Sequence, residues 1–192
     1  MQTTSTEEPE CGERRSPIDF QSRNCLRMGE HAMSVGRGQL LRRLAQAWEA
    51  FQQSYAGLAE AELLEPGVTG AWSIKDVIAH VTWWEEEALT HLPLILAGGR
   101  PPRYSVTYGG IAAFNARMTE QRKDLTLAEV LRHQADVHRR LIALIESAPA
   151  DQVSGETRFR RRLRLDTYGH YPKHARAIRE WRERRSTVPG RE

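Results

Sequence analysis

Apolar residues recur at steps of three and four along most of this chain, with polar residues between them. The first such stripe begins at Leu40 and ends at Leu58, and its other members are Leu41, Leu44, Ala47, Trp48, Phe51 and Tyr55. A stripe with this period lies on one face of an α-helix and is typical of a helix that packs against a core. The pattern therefore predicts an amphipathic helix over residues 40–58.

Two further helices are predicted where a capping residue precedes an apolar stripe. Ser73 can cap a helix that starts at Ile74 and continues until the sequence AGGRPP stops it. Thr126 can cap another helix, because Glu129 lies three residues later, as a capping box requires. The stripe of that helix consists of Leu127, Val130, Leu131, Gln134, His138, Leu141, Ile142 and Ile145.

The rest of the chain adds a short helical stretch, GIAAFNARMTEQRK, and a last helix with His174, Ile178 and Trp181 on one face. Pro172 places the start of this last helix near His170, because proline is harmless only in a first helical turn. No segment has the pattern of a convincing strand. Four amphipathic helices with modest connections predict an all-α, up-and-down four-helix bundle.

The N-terminal part of the chain lacks any such pattern. Residues 1–27 contain six apolar residues without a helical or strand period, so burial cannot offset the entropy lost on ordering them. Both an early start-codon assignment and a functional role stay open for this tail. We expect three regions: a disordered tail over residues 1–35, the bundle over residues 36–186 and a short C-terminal tail over residues 187–192.

Composition and charge are those of a soluble globular protein. Hydrophobic residues make up 40% of the chain, and no apolar run approaches the roughly 18–20 residues of a membrane helix. The polar, acidic start does not resemble a secretory signal, so we expect a cytoplasmic protein without a membrane partner. A net charge of +3 is too balanced to imply nucleic-acid binding by itself. Cys11 and Cys25 are interpreted as reduced thiols.

Three of the seven histidines can meet at one point. His80 lies on the apolar face of the second predicted helix, and Asp76, one turn earlier, either orients its imidazole or complements the helix dipole. His170 and His174 lie four residues apart and share a helix face. If the two helices are neighbours, the three imidazoles can bind a divalent ion and leave a position for water or substrate. Alternatively, they are ordinary core or surface histidines.

Two stretches of the sequence resemble signatures of the DinB-like superfamily. GAWSIKDVIAHVTWWEEEAL is similar to its second helix, in which a Trp-Ser-x-Lys-Asp-x-x-x-His stretch supplies the first metal histidine. DTYGHYPKHARAIREW is similar to its fourth helix, which supplies two more. With AFNARMTEQRK and the stripe of the third predicted helix, the pattern is closest to ClbS/DfsB-type four-helix bundles and covers about residues 37–185. By position, the resemblance implies that the metal ligands are His80, His170 and His174.

The resemblance implies a divalent metal ion, with zinc or nickel preferred, but no single reaction. Relatives include thiol-dependent transferases and isomerases and a protective hydrolase. The leading hypothesis is therefore an enzyme that activates water or a low-molecular-weight thiol to attack a small electrophile. The segment SGETRFRRRLRL departs from the family pattern, since it replaces a long, Trp-containing approach to the last helix. The shape of the pocket, the substrate and the presence of a homodimer stay open.

Several other side chains are candidates for the chemistry. Those that could shape a cleft for a substrate or cofactor are Trp83, Trp84 and Tyr171. Glu87 is a candidate general base near a metal ion, although we favour a solvated helix face for the glutamates 85–87. His138 is either an acid or base in a pocket or, as we favour, a hydrogen-bonded histidine in the interior.

The densest run of charge consists of Arg158, Arg160, Arg161, Arg162 and Arg164. These arginines could bind phosphate, the carboxylates of a thiol cofactor, or nucleic acid. We interpret the run as a solvated connection, because only Phe159 interleaves with it to stack on a base. We therefore expect no nucleic-acid partner. The alternative to an enzyme is a non-enzymatic binding or stress-protection module that contacts nucleic acid through this run.

Overall fold

The computed structural model describes the backbone of residues 17–187 and the side chains of residues 36–187. These residues form helices and one isolated bridge between Thr69 and Trp72. The helices are α1 (Pro17–Tyr55), α2 (Glu60–Leu64), α3 (Ile74–Leu96), α4 (Tyr104–Thr107), α5 (Ile111–Arg122), α6 (Leu127–Ser147), α7 (Ala150–Val153), α8 (Arg158–Asp166) and α9 (Tyr171–Ser186). The predicted all-α fold is thus confirmed. No helix in this part of the chain combines the length and hydropathy that crossing a membrane requires.

The first helix overlaps the region predicted to be a disordered tail. The backbone of α1 is helical from Pro17, inside the predicted range 1–35, whereas residues 1–16 lie outside the described residues. The predicted C-terminal tail also lies outside them, apart from Thr187. Residues from 33 onward form one compact unit, to which the following description applies. The domain boundaries stay predictions.

Both predicted capping residues are present, and each is part of a capping box, which the sequence predicted only for Thr126 and Glu129. The Oγ atom of Ser73 accepts a hydrogen bond from the Asp76 N–H at 3.2 Å, and the Asp76 carboxylate accepts one from the Ser73 N–H at 2.9 Å. Thr126 and Glu129 make the same reciprocal pair at the start of α6. Such pairs satisfy backbone donors that a helix start leaves free. The Asp76 carboxylate is therefore a capping group, and it does not orient His80.

Helix α3 is the axis of the bundle. It contacts α2, α5, α6, α8 and α9, and 14 of its 23 residues are buried. Burial on this scale is expected of a helix that is surrounded, because a helix at the surface buries only one stripe. The other long helices also contribute apolar residues to the core. These residues include Leu44 and Phe51 of α1, Leu141 and Ile145 of α6, and Ile178 and Trp181 of α9.

The arginine-rich segment forms helix α8 and is therefore more than a connection, although Arg158, Arg161 and Arg164 are exposed to solvent as expected. Phe159 and Leu163 lie four residues apart and have no exposed surface, and Thr157 caps the helix by accepting a hydrogen bond from the Arg160 N–H. The segment alternates weakly between arginine and apolar residues, and this pattern does not indicate that Phe159 and Leu163 lie on one helix face. Arg162 is also mostly buried and donates to Asp166 at 2.5 Å.

The burial of α8 predicts different effects for two leucines of this helix. Leu163→Ala should lower the free energy of unfolding by about 2–5 kcal/mol, because a fully buried side chain is truncated. Leu165→Ala should change it by no more than about 0.5 kcal/mol, because this side chain is 71% exposed. Urea unfolding followed by circular dichroism measures both values. Similar values for the two variants would contradict the packing of α8.

Candidate metal centre

Three histidines from two helices converge in this structure. His80 lies on α3, His170 is the residue before α9, and His174 lies in the first turn of α9. The Nε2 atom of His170 lies 3.1 Å from Nε2 of His80 and 2.8 Å from Nε2 of His174. The three ligand atoms lie within 4.8 Å of one another. The convergence expected from the sequence is present, and metal binding itself stays a prediction.

A tight turn between α8 and α9 positions two of these histidines. The backbone N–H groups of His170 and Tyr171 both donate to the carbonyl oxygen of Thr167, at 2.6 and 2.9 Å. A Cβ atom at Gly169 would lie 2.6 Å from the carbonyl oxygen of Arg164, so the turn requires glycine. Pro172 follows in the first turn, where a missing N–H breaks no intrahelical bond. Helix α9 therefore starts with its two histidines one turn apart, facing α3.

Burial keeps the three imidazoles neutral. His80 is only 3% exposed, and burial, reinforced by the two other histidines, lowers its pKa to about 2. Burial also lowers the pKa of His170 to about 3, with His174 and Lys173 contributing. The pKa of His174 falls to about 4 through burial and the charge of Lys173. Neutral imidazole is the form that binds metal ions.

The spacing of the nitrogens fits a shared divalent ion. A neutral imidazole nitrogen carries either one proton or one lone pair, so Nε2 of His170 can make an ordinary hydrogen bond to only one of its two close neighbours. The other contact then brings together two nitrogens without a suitable proton. Metal–imidazole bonds of about 2.0–2.1 Å place ligand nitrogens around one ion at roughly this separation. The donor set and its geometry are therefore compatible with a bound cation.

Tryptophan side chains surround the His80 ring. The ring centroids of Trp83, Trp72 and Trp84 lie 4.7, 5.0 and 6.4 Å from that of His80, and Trp84 lies 5.9 Å from His170. Two of the proposed cleft residues, Trp83 and Trp84, thus lie beside the histidines. Trp72 was not among the candidates, because it precedes the helix and no helical period assigns it a face. It is half-buried, and its ring also lies 6.2 Å from that of Trp83.

Tyr171, the third proposed cleft residue, lies in the core of the bundle. Its side chain has no exposed surface, and its hydroxyl donates a hydrogen bond to Glu85. Its ring packs against Trp48 and Phe51 at centroid distances of 5.4 and 6.2 Å. A substrate could therefore not reach this side chain without a rearrangement of the core.

The three consecutive glutamates do not form the solvated helix face that the sequence suggests. Glu85 has no exposed surface, and both Glu86 and Glu87 are partly buried. Their partners, which the sequence did not reveal, are Tyr171 and His138 for Glu85, Arg122 and His133 for Glu86, and Tyr104 and His91 for Glu87. The expectation was wrong because it treated α3 as exposed on one side.

The two candidates for a general base contact residues outside the histidine cluster. The carboxylate of Glu87 accepts a hydrogen bond from Tyr104 and lies 3.9 Å from the guanidinium of Arg162. His138 is a hydrogen-bonded interior histidine, as favoured from the sequence. Its Nδ1 atom lies 2.8 Å from the Glu85 carboxylate, and its ring stacks on Trp48 with a centroid distance of 3.7 Å.

The fold and the histidine cluster define a helical bundle with a candidate three-histidine metal centre. The chain belongs to the DinB superfamily, whose family model matches residues 43–184. This confirms the family to which the two histidine-bearing stretches point. No curated protein sequence matches the chain.

Solved structures with the same fold include two proteins of the predicted ClbS/DfsB type. "Sibling Lethal Factor Precursor - DfsB" has a TM-score of 0.65 and 13% identity, covering 79% of this chain and 98% of its own. The colibactin self-resistance protein ClbS, in complex with a dsDNA, has a TM-score of 0.64 and 15% identity, covering 77% and 95%. An uncharacterised protein from Escherichia coli UTI89 has a TM-score of 0.66 and 12% identity, covering 79% and 95%. At these identities the likeness shows the fold alone.

The lowered pKa values predict that acid destabilises the metal-free protein. The cluster histidines bind protons near pH 6.5 in the unfolded chain and only near pH 2–4 in the folded protein, so the unfolded state takes up more protons between these values. Their contribution to stability should be fully present above pH 6.5 and fall as the pH drops. The loss has an upper limit of about 1.4 kcal/mol per pH unit and histidine. Urea unfolding of chelator-treated protein at several pH values measures it.

Two asparagine variants identify the source of this pH dependence. His174→Asn should reduce the loss of stability on acidification, because one cluster histidine is removed. His133→Asn should leave the contribution of the cluster unchanged, because this histidine lies on α6 and contacts Glu86 instead of the cluster. A pH dependence that is the same in both variants would contradict the assignment to the cluster.

Proposed function

We propose that this protein is a metal-dependent enzyme in which His80, His170 and His174 hold one divalent cation through their Nε2 atoms. The observation that carries the proposal is the convergence of one ligand nitrogen from each of the three imidazoles within 4.8 Å. Three protein ligands are typical of catalytic zinc sites, which keep a position for water or substrate, whereas structural zinc sites use four. Zinc or nickel is the expected ion, because imidazole is a suitable ligand for both.

The proposed reaction is the attack of water or a low-molecular-weight thiol on a small electrophilic substrate. The bound ion would supply Lewis acidity, which polarises a substrate or makes a nucleophile available at neutral pH. The chain itself supplies an aromatic wall, in which Trp84 contacts both His80 and His170. His170 and His174 are half-buried instead of fully buried, so solvent reaches part of these two residues. We place the protein in the cytoplasm and leave its oligomeric state open.

This proposal gives no catalytic role to Glu87 or His138. Glu87 contacts residues of α3, α4 and α8, and His138 contacts Glu85 and Trp48. Among the described residues, the side chains that support the reaction are therefore the three histidines and the tryptophans beside them. A proton released by the attacking nucleophile would leave through the solvent that reaches the half-buried His170 and His174.

The proposal predicts that the protein contains about one equivalent of a divalent metal when it is purified without a histidine tag. His174→Ala should weaken metal binding by more than about 100-fold, because a direct ligand contributes more than an outer partner, whose loss costs 10–100-fold. Elemental analysis and calorimetric titration measure content and affinity. The fold should survive, because aliphatic and aromatic residues form the core.

His133→Ala is the matched control for this experiment, since it removes a histidine that contacts Glu86 instead of the cluster. It should keep the metal content and affinity of the wild type. If the wild type binds no stoichiometric metal, the enzyme proposal is wrong. If His174→Ala fails to fold even in the metal-free state, the cluster has a structural role.

A double-stranded DNA-binding function is the second candidate. It is favoured by the structure of ClbS in complex with a dsDNA, together with three exposed arginines of α8. Arg158, Arg161 and Arg164 follow one another at steps of three residues and lie on one side of this helix. Contacts of such a face with phosphates would position DNA without reading its sequence. The mostly buried Arg162 is not part of this face, because it donates to Asp166 and to Tyr104.

DNA binding by this face would depend steeply on salt. Each phosphate contact contributes a slope of about −0.9 to the log–log dependence of the binding constant on salt concentration. We expect only weak association that is lost near physiological salt, because contacts of three arginines with phosphates are independent of sequence and salt-sensitive. Fluorescence anisotropy with a labelled duplex across a salt series tests this expectation.

The decisive comparison uses two variants that remove the same charge from different helices. One replaces Arg158, Arg161 and Arg164 with glutamine, and the other replaces the exposed arginines of α6, Arg132, Arg139 and Arg140. Submicromolar binding at physiological salt that only the α8 variant loses would favour the DNA-binding function over the metalloenzyme.

A further inference from the structure

Glu85 joins the four long helices through a buried cluster of hydrogen bonds and stacked rings. It lies on α3, and its Oε1 atom accepts hydrogen bonds from the Tyr171 hydroxyl of α9 and from Nδ1 of His138 on α6. Trp48 of α1 stacks on the ring of His138, and the angle between the two ring planes is 3°. One carboxylate therefore connects α3 with α6 and α9 directly and with α1 through one ring.

A carboxylate at this buried position lowers the stability of the fold unless its contacts compensate for the loss of hydration. Glu85 has no exposed surface, and its Oε2 atom has no hydrogen-bond partner among the described residues. Burial raises the pKa of Glu85, although the contacts with His138 and Tyr171 oppose this effect. Apolar side chains of similar volume often replace buried charged groups at no cost to stability. The directional contacts of the carboxylate offer what apolar packing does not.

The contact between Glu85 and Tyr171 lies close to the histidine cluster along both helices. Tyr171 directly follows His170 and lies three residues before His174, and Glu85 shares α3 with His80. A hydrogen bond between the two side chains fixes the rotation and height of the first turn of α9 against α3. That placement brings Nε2 of His170 to 3.1 Å from Nε2 of His80.

Hydrogen bonds to the imidazoles themselves do not provide this orientation. Histidines that ligate metals usually donate their second ring N–H to a carboxylate, a carbonyl or water. Among the described residues, the buried Nδ1 atoms of His80 and His170 have no such partner. The placement of these two rings therefore depends on the helices that carry them and on the tryptophans packed against them.

We infer that Glu85 is a positioning residue for the histidine cluster and that it acts through the hydroxyl of Tyr171. The inference rests on the proposed metal-binding function. Glu85 holds the start of α9 against α3, so that the nitrogens of His170 and His174 meet that of His80. It touches neither the ion nor a substrate.

Tyr171→Phe tests the inference, because it removes one hydroxyl and keeps the ring that fills the core. Tyr55→Phe is the matched control, since its hydroxyl donates to Gln134 at 3.2 Å in the same core but connects α1 with α6. Cobalt(II) is the probe, because its absorption spectrum reports ligand geometry. Tyr171→Phe should weaken cobalt binding by about 10–100-fold, the range for lost outer partners, and alter the spectrum. Tyr55→Phe should match the wild type in both.

Two substitutions of Glu85 separate its acceptor role from its volume. Glu85→Gln keeps an oxygen that accepts the Tyr171 hydroxyl and should retain most of the cobalt affinity. Glu85→Leu removes the acceptor and should lose as much affinity as Tyr171→Phe. Amide hydrogen exchange of the metal-free proteins gives a second readout. Residues 170–175 should exchange faster in Tyr171→Phe than in Tyr55→Phe.

The possible outcomes separate the inference from the function on which it rests. Unchanged cobalt affinity and unchanged exchange in Tyr171→Phe would overturn the positioning role. An equal loss of affinity in Tyr55→Phe would also overturn it, since general destabilisation would then be sufficient. A wild-type protein that binds no cobalt would overturn the metal-binding function, while hydrogen exchange would still show whether Tyr171 holds the start of α9.

Discussion

The hydrogen bonds to the Glu85 carboxylate fix how the long helices face one another. Apolar packing is non-directional, so stripes of leucine, isoleucine and valine hold helices together while tolerating small rotations. A buried carboxylate is less tolerant, because each lost contact leaves a polar group without a partner in a medium of low dielectric constant. Tyr171 and His138 meet that carboxylate from two different helices. The bundle therefore has a preferred register, set where Trp48 and Phe51 pack against Tyr171.

The histidine cluster combines this register with two helix starts. The capping box of Ser73 and Asp76 begins α3, with Ser73 seven residues before His80, and the turn at Gly169 places His170 at the N-cap of α9. Both devices are local and require few residues. Neither one sets the distance between the helices, which depends on packing along α3. The nitrogens can meet because local helix starts and long-range packing agree in one place.

The sequence could predict the features that depend on local patterns. Apolar periodicity and capping residues place α3 and α6 correctly, and the four-residue spacing places His170 and His174 on one side of α9. Such local patterns do not indicate tertiary contacts. Glu85 looks like part of a polar helix face until α6 and α9 cover it. Helix α8 has the same explanation, because Phe159 and Leu163 show their role only when α3 packs against them.

The histidine cluster lowers the stability of the metal-free fold locally. Its three imidazoles are kept neutral by burial, and two of their Nδ1 atoms have no partner among the described residues. The Nε2 atom of His170 has two close neighbours and can make a hydrogen bond to only one of them. A fold selected only for stability would fill this space with apolar side chains. A divalent cation would accept all three lone pairs at once, and its binding energy would then add to the stability of the fold. The lost stability of the metal-free cluster and the chemistry of its donor atoms therefore both support metal binding.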